Sequence, residues 1–294
     1  MFTFNVGGVP EHFNTPWKLT AEKNPDIFNR YQLKWVDYPG GTGDLLNALD
    51  SGALDIAVLL TEGAVKGITS GLHSKIVRFY VNSPLRWGIH TKKDAGIEFP
   101  RGMQGRKYAV SRLNSGSHLM SFVNAENHNL KIDDRDFEIV GNINGAREAL
   151  KSGAADLFLW ERYTTEPYVQ IGEFDRIGEC PTPWPGFVVA ARDEVIERHE
   201  VELSEILDDV FLRAAQLKGN PGFAVPLIAR QFNLDINRTT EWFNAVEWNT
   251  KNIENDQALL KTLEVLRRLG IIQSQPAANE LNRIRHYVKS LHCA

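Results

Sequence analysis

The sequence predicts an α/β protein built from two copies of one lobe, followed by a helical tail. Three observations predict it: an internal repeat about 100 residues apart, alternation of strand-patterned and helix-patterned segments, and loss of that alternation beyond residue 186.

In the repeat, Asn47-Ala48-Leu49-Asp50-Ser51-Gly52-Ala53-Leu54-Asp55-Ile56 aligns with Glu148-Ala149-Leu150-Lys151-Ser152-Gly153-Ala154-Ala155-Asp156-Leu157, with six of ten positions identical at a separation of 101 residues. An apolar run ending near an acid follows each copy, through Glu62 in the first and Glu161 in the second. A glycine loop opens a helix with an apolar stripe, Ser-Gly ends it with a left-handed cap, and Asp leads into a short buried strand. The period is too long for a solenoid and suits two α/β lobes. Chance similarity between two common helix-to-strand turns is the competing explanation.

The patterning predicts strands over 2–7, 32–36 and 76–81 in the first copy, with a helix over 15–23. In the second copy it predicts strands over 107–111 and 137–140 and a helix over 116–127. Such alternation implies mostly parallel sheets with right-handed crossovers. Phe187 to Ala191 is a last strand. Leu203, Ile206, Leu207, Val210, Phe211, Ala214 and Leu217 then share one helix face. Asp256 is the expected cap of a helix ended by Gly270, and Leu281, Ile284, Tyr287, Val288 and Leu291 suggest a final helix.

With 294 residues, 43% hydrophobic and 24% charged, the chain has the composition of a folded globular protein. A net charge of −4 disfavours a nucleic-acid or anionic-membrane binder. No apolar run reaches the roughly 18 residues of a membrane span. The N-terminus shows no export signal, so the expected compartment is cytoplasmic, or periplasmic or lipid-anchored where a signal has been removed. A transporter partner is expected only in the exported case. Two cysteines, Cys180 and Cys293, exclude a disulfide framework and a paired-cysteine zinc site.

Several segments together resemble the nitrate, sulfonate, taurine and thiamine-precursor group of type II periplasmic binding proteins. They are Val6-Gly7-Gly8-Val9-Pro10, Gly41-Thr42-Gly43, Leu54-Asp55-Ile56-Ala57, Thr61-Glu62-Gly63, Ala109-Val110-Ser111-Arg112, Ser115-Gly116-Ser117-His118 and Trp184 to Ala190 with Arg192. Within that group the chain is similar to a cytosolic orphan branch known from yeasts. The resemblance implies a two-lobed type II periplasmic binding protein fold with two mostly parallel sheets, a two-segment hinge and a helical C-terminal tail. Residues 1–84 with 186–294 would form one lobe and 85–185 the other, with a ligand cleft between them.

Ligands of open α/β sheets bind beyond the carboxyl ends of the strands. Unit by unit, the candidates are Pro10, Glu11 and His12 after the first strand; Gly41, Thr42 and Gly43 at a helix start; and Thr61 and Glu62 after the repeat strand. Arg112, Ser115, Gly116, Ser117 and His118 follow the second lobe's first strand, with Trp160, Glu161 and Trp184 completing the set. Helix N-termini and a guanidinium suit an anion, and tryptophans suit a planar ring. Each residue also has a structural reading: helix entry for Gly41 to Gly43, a cap for Ser115, inter-lobe charge for Arg112, strand-end acids for Glu62 and Glu161, core for the tryptophans and histidines. The expected function is therefore non-catalytic binding of one small anionic or heteroaromatic solute.

No catalytic residue, cofactor or metal site is assigned, because the dinucleotide, phosphate-loop, zinc-protease and nucleophile-elbow motifs are all missing. The alternative is an enzyme on the same scaffold, like the thiamine-pyrimidine synthase or chorismate dehydratase, acting through His12, Glu62 or His118. Thiol titration of denatured, non-reduced protein is expected to count two free cysteines; none would indicate a bridge and an oxidising compartment.

Overall fold

A computed structural model describes residues 2–23, 31–113, 115–273 and 279–291. The chain divides into two compact units, Met1–Ser83 with Trp184–Ala294, and Pro84–Pro183.

In the first unit the order is β1 (Phe2–Gly8), α1 (Thr15–Lys23), β2 (Tyr31–Asp37), α2 (Thr42–Asp50), β3 (Ile56–Leu60) and α3 (Thr61–Thr69). The second unit runs β5 (Tyr108–Val110), α4 (Gly116–Asn127), β6 (Phe137–Ile139), α5 (Ile143–Ser152), β7 (Leu157–Glu161) and α6 (Arg162–Gln170). Strands β3 and β7, and helices α3 and α6, begin and end 101 residues apart, so the repeat extends well past the ten aligned residues. Two 19-residue strands, β4 (Ser74–Lys92) and β8 (Phe174–Arg192), carry the chain from one unit to the other.

The letters shared by the two copies have the same physical jobs in each. Ala48 and Leu49, like Ala149 and Leu150, are buried on the inner helix face. Gly52 and Gly153 adopt left-handed φ of 74° and 80°, where a side chain would be strained. Asp55 donates its backbone N–H to the Asn5 carbonyl (2.9 Å), while its Oδ2 accepts the Asn5 N–H at 2.8 Å. Asp156 does the same with Lys107, at 2.8 and 3.0 Å. Each aspartate thus clamps the entry of its strand to the neighbouring one.

In the first unit the strand order is β2-β1-β3-β8, with β1 parallel to β2 and β3, and β3 antiparallel to β8 over Phe187 to Ala191. In the second it is β6-β5-β7-β4, again parallel except for β7 against residues 87–91 of β4. The sequence predicts two sheets. Hydrogen bonding instead links all eight strands in the order β2-β1-β3-β8-β4-β7-β5-β6, because β4 and β8 belong to both units and neighbour each other. Their length is hidden in the sequence by Pro84, Pro181, Pro183 and Pro185, which interrupt the apolar pattern.

The tail comprises α7 (Asp193–Gly219), α8 (Pro221–Phe232), α9 (Ile236–Ala245), α10 (Asp256–Arg268) and α11 (Glu280–Ile284). The α7 stripe from Leu203 to Leu217 is buried. Two expectations change. The cap of α10 is Asn255, which accepts from the Ala258 N–H, while Asp256 forms a paired ion contact with Arg285. The last helix stops at Ile284, because the His286 and Val288 N–H groups turn to the carbonyls of Ile76 and Val77 on β4. A buried ion pair, Arg78 to Asp208 at 2.8 Å, holds this segment, with Asp208 also accepting from Ser290 and the Leu291 N–H. Cys180 is a buried free thiol whose pKa burial pushes up to about 12; Cys293 lies outside the described residues.

Replacing Asp55 by Ala removes the acceptor for the Asn5 N–H at the entry of β3. The expected loss is about 2 kcal/mol of unfolding free energy, read as a lower urea midpoint with unchanged slope. An unchanged midpoint would mean that water replaces the clamp.

Candidate functional site

The register of the parallel strands fixes which loops meet. In the first unit Gly8 pairs with Val58, so the segment from Val9 to His12 emerges beside the end of β3, where Thr61 and Glu62 begin α3. Gly8 is required by close approach: a Cβ there would lie 2.7 Å from both the Asn14 amide nitrogen and the Trp35 ring. Gly41, at φ 77°, turns the chain into α2, and Thr42 packs so closely on Gly63 that a Cβ on Gly63 would collide with its methyl. The start of α2, with Gly41, Thr42 and Gly43, therefore sits against the Glu62 turn.

Glu62 is the chemically distinctive group of this unit. It is 2% exposed. Its Oε2 accepts the Trp184 indole N–H at 2.7 Å, and the neighbouring Thr61 hydroxyl donates to the Pro185 carbonyl at 2.6 Å. Among the described residues its Oε1 meets no hydrogen-bond donor. Burial raises its pKa to about 7, against the opposing pull of its own backbone N–H and of Trp184.

His12 lies elsewhere in character. Its ring stacks on Phe13 at 4.8 Å and meets Trp242 edge-on at 4.2 Å, and burial lowers its pKa to about 3. Pro10 is exposed and Glu11 half-buried, on the turn leading to His12. Asn14, which the sequence analysis did not single out, is buried in the same loop and donates to the Val9 carbonyl at 2.8 Å. Its signal was only a polar residue next to Phe13.

The second unit repeats the arrangement. Ala109 pairs with Phe158, placing Ser111 and half-buried Arg112 beside the end of β7 with Trp160 and Glu161. Ser115 caps α4, whose first residue is Gly116, by accepting from the His118 N–H. Ser117 Oγ accepts the Ser111 N–H at 3.1 Å and shares a 3.0 Å hydrogen bond with Ser115 Oγ. The His118 ring packs between Phe122 and Phe137 at 5.0 and 4.4 Å. Trp160 stacks on Phe158 at 5.4 Å and covers the core cluster of Ala146, Leu150 and Phe174.

Glu161 is 3% exposed. Its Oε2 caps α6, accepting from the Thr164 N–H at 2.7 Å and the Thr164 hydroxyl at 2.9 Å, while Oε1 meets no donor among the described residues. Burial raises its pKa to about 7, opposed by the backbone N–H groups and hydroxyl nearby and by Arg162. Sequence reasoning missed the ion pairs around it. Arg162 and Arg86 share Glu179, and Arg176 pairs with Glu166 at 2.6 Å. Their charges are spread over β4, α6 and β8, so no local pattern announces them. Among the described residues no cluster of His, Cys, Asp and Glu could hold a metal ion.

Residues 87–180 match the sequence model of the Ca3427-like periplasmic binding proteins. The structure is similar to that of the Candida albicans CA3427 gene product, described as defining a new family with the generic periplasmic binding protein fold. The TM-score is 0.89 at 25% identity, over 99% of this chain and 98% of that one. The chain has the periplasmic-binding-protein fold. It is similar also to the periplasmic aliphatic sulphonate binding protein SsuA of Escherichia coli (TM-score 0.76, 13% identity, 99% and 94% covered). PhnD1 of Prochlorococcus marinus, solved with methylphosphonate, is a further match (TM-score 0.62, 11% identity, 92% and 99% covered). No curated protein matches the sequence. No described helix is long and apolar enough to cross a membrane.

The raised carboxyls make a signed prediction. A glutamate whose folded pKa is about 7 against an ordinary 4.5 leaves stability intact below 4.5, and that stability is lost as pH rises to about 7. His12 and His90, both lowered to about 3, act in the opposite sense, since the unfolded chain takes up their protons below 6.5. The wild-type profile therefore mixes both effects, and the difference between variant and wild type isolates one. Glu62→Gln is expected to gain stability relative to wild type as pH rises from 4.5 to 7, by about 3 kcal/mol at most. Urea midpoints across that range check it; a flat difference would show that Glu62 is ionised and solvated.

Proposed function

We propose that the protein is a solute-binding or sensor protein that holds a small solute at strand-end loops of the kind built around Glu62 in the first unit, and releases it unchanged. The observation that carries this reading is the pair of buried strand-end carboxyls, one in each unit, each with one oxygen held by the protein and the other without a donor. They are two of several buried side-chain atoms without a hydrogen-bond partner among the described residues, and their equivalent places at the ends of equivalent strands favour an external partner. The fold supports the same reading, since SsuA is described as a sulphonate binder and PhnD1 was solved with methylphosphonate. Turnover through a histidine finds less support, because His12 and His118 are packed among aromatic rings.

Native mass spectrometry of protein purified without added ligand, followed by thermal-shift screening, tests the proposal. A single small adduct or a stabilising hit is expected, with the compound recovered intact after prolonged incubation. Conversion of a hit at a rate abolished by His12→Ala or Glu62→Gln would replace binding by catalysis.

A further inference from the structure

Strand β4 stands between β8 and β7 in the sheet, but β7 pairs only with its residues 87–91. Along residues 76–82 the place of a strand neighbour is taken by two stretches of the tail. Val81 bridges Trp248, the Asn82 N–H donates to the Glu247 carbonyl at 2.7 Å, and the Asn249 N–H donates to the Tyr80 carbonyl at 2.9 Å. Nearer the start of β4, Ile76 bridges Arg285 in parallel. The Ile76 and Val77 carbonyls accept the His286 and Val288 N–H groups at 2.9 and 3.1 Å.

The covered segment is one that needs covering. Ile76-Val77-Arg78-Phe79-Tyr80-Val81 is β-branched or aromatic at five of six positions, has no proline and carries one charge. All six residues are buried. Such a strand with an open edge is a template for pairing with another chain. Its one charge does not stand on the edge to repel a newcomer, because Arg78 pairs with Asp208 at 2.8 Å and donates to the Val288 carbonyl at 3.2 Å.

The end of the tail is held by polar contacts rather than by a core. From Arg285 to Leu291 only Val288 is buried. One Asp208 oxygen meets Arg78, and the other accepts the Ser290 hydroxyl at 2.9 Å and the Leu291 N–H at 2.8 Å. The Ser204 hydroxyl donates to the Lys289 carbonyl at 2.6 Å, and Arg285 reaches Asp256 through two 2.6 Å contacts. A short segment with so little apolar burial opens at a lower cost than the unit it lies on.

We propose that residues 285–291 are a guard on the edge of β4, and that undocking them lets a second copy of the chain pair with Ile76 to Val81, strand on strand. A second copy is the fitting occupant because it brings the same apolar strand, and two copies of one edge meet about a two-fold axis in a closed contact. This role is independent of solute binding.

The test weakens the guard while leaving the Arg78–Asp208 pair in place. Ser204→Ala combined with Ser290→Ala removes one hydrogen bond to the Lys289 carbonyl and one to Asp208. In the full-length variant the His286 and Val288 N–H groups are expected to exchange with deuterium about tenfold faster than in wild type, since each lost bond favours opening several-fold. Light scattering is expected to show dimers of the variant at a concentration where wild type stays monomeric, with the amides of residues 76–81 protected in the dimer. An excess of a synthetic peptide of residues 279–291 is expected to return the dimer to monomer. In wild type itself the two tail amides are expected to exchange ahead of those of β1 and β3, a readout that needs no variant. Exchange in step with β1 would overturn the proposal, because the tail would then have no opening of its own. Unchanged tail exchange in the variant would overturn it too, as would a variant that opens faster yet stays monomeric at every concentration. A dimer that the peptide leaves intact would place the contact elsewhere and sink the guard role.

Discussion

The constraint on which the rest of the structure depends is the aspartate clamp at the entry of β3 and β7. Asp55 and Asp156 each bond both backbone groups of a residue on the adjoining strand segment, Asn5 and Lys107, through N–H and carboxylate together. A strand slipped by one residue would present its side chains to the opposite faces. With the entry fixed and only five residues to run, each strand delivers its end to one place: Thr61 and Glu62 in the first unit, Glu161 in the second. The position of the candidate carboxyls is thus set at the other end of the strand, by a residue that touches nothing in the site.

The second dependence is on β4 and β8. The first unit does not complete its sheet from a contiguous stretch of chain, since β8 returns to it after the whole of the second. β3 is flanked by Phe187 to Ala191, and β7 by residues 87–91, each the distal half of a strand that began in the other unit. These are pairings of high sequence separation, whose loop-closure entropy is met before the contacts form. The tail then covers the first unit, with the Arg78–Asp208 pair anchoring its last residues against β4.

The two carboxyls oppose the trend of a hydrophobic core. An ionised glutamate inside protein loses its hydration, and one neutral donor does not restore it, which is why burial outweighs Trp184 at Glu62 and the Thr164 groups at Glu161. His90 shows the contrast: its two ring nitrogens meet the Phe158 carbonyl and the Thr165 hydroxyl, and the ring stays neutral with both satisfied. Glu62 and Glu161 each have one oxygen satisfied.

The sequence by itself determined the α/β alternation, the repeat, the helix starts at Thr15 and Gly116, and the buried stripe of α7. All rest on local periodicity or on a residue with one special backbone job, such as Gly52 and Gly153. It also pointed to the strand-end loops, because parallel strands have their ends in common. Only the tertiary structure decided which loop residues are open to a partner. Ser115 and Ser117 satisfy each other, His12 and His118 are taken into aromatic packing, and Trp160 covers a core. Where the neighbour lies far along the chain, as Trp242 does for His12 and Trp184 for Glu62, no local pattern encodes the outcome. The same holds for the end of the tail, where the helix pattern from Leu281 to Leu291 yields to the free carbonyls of β4, since a strand partner already in place offers the backbone more than an isolated last turn of helix.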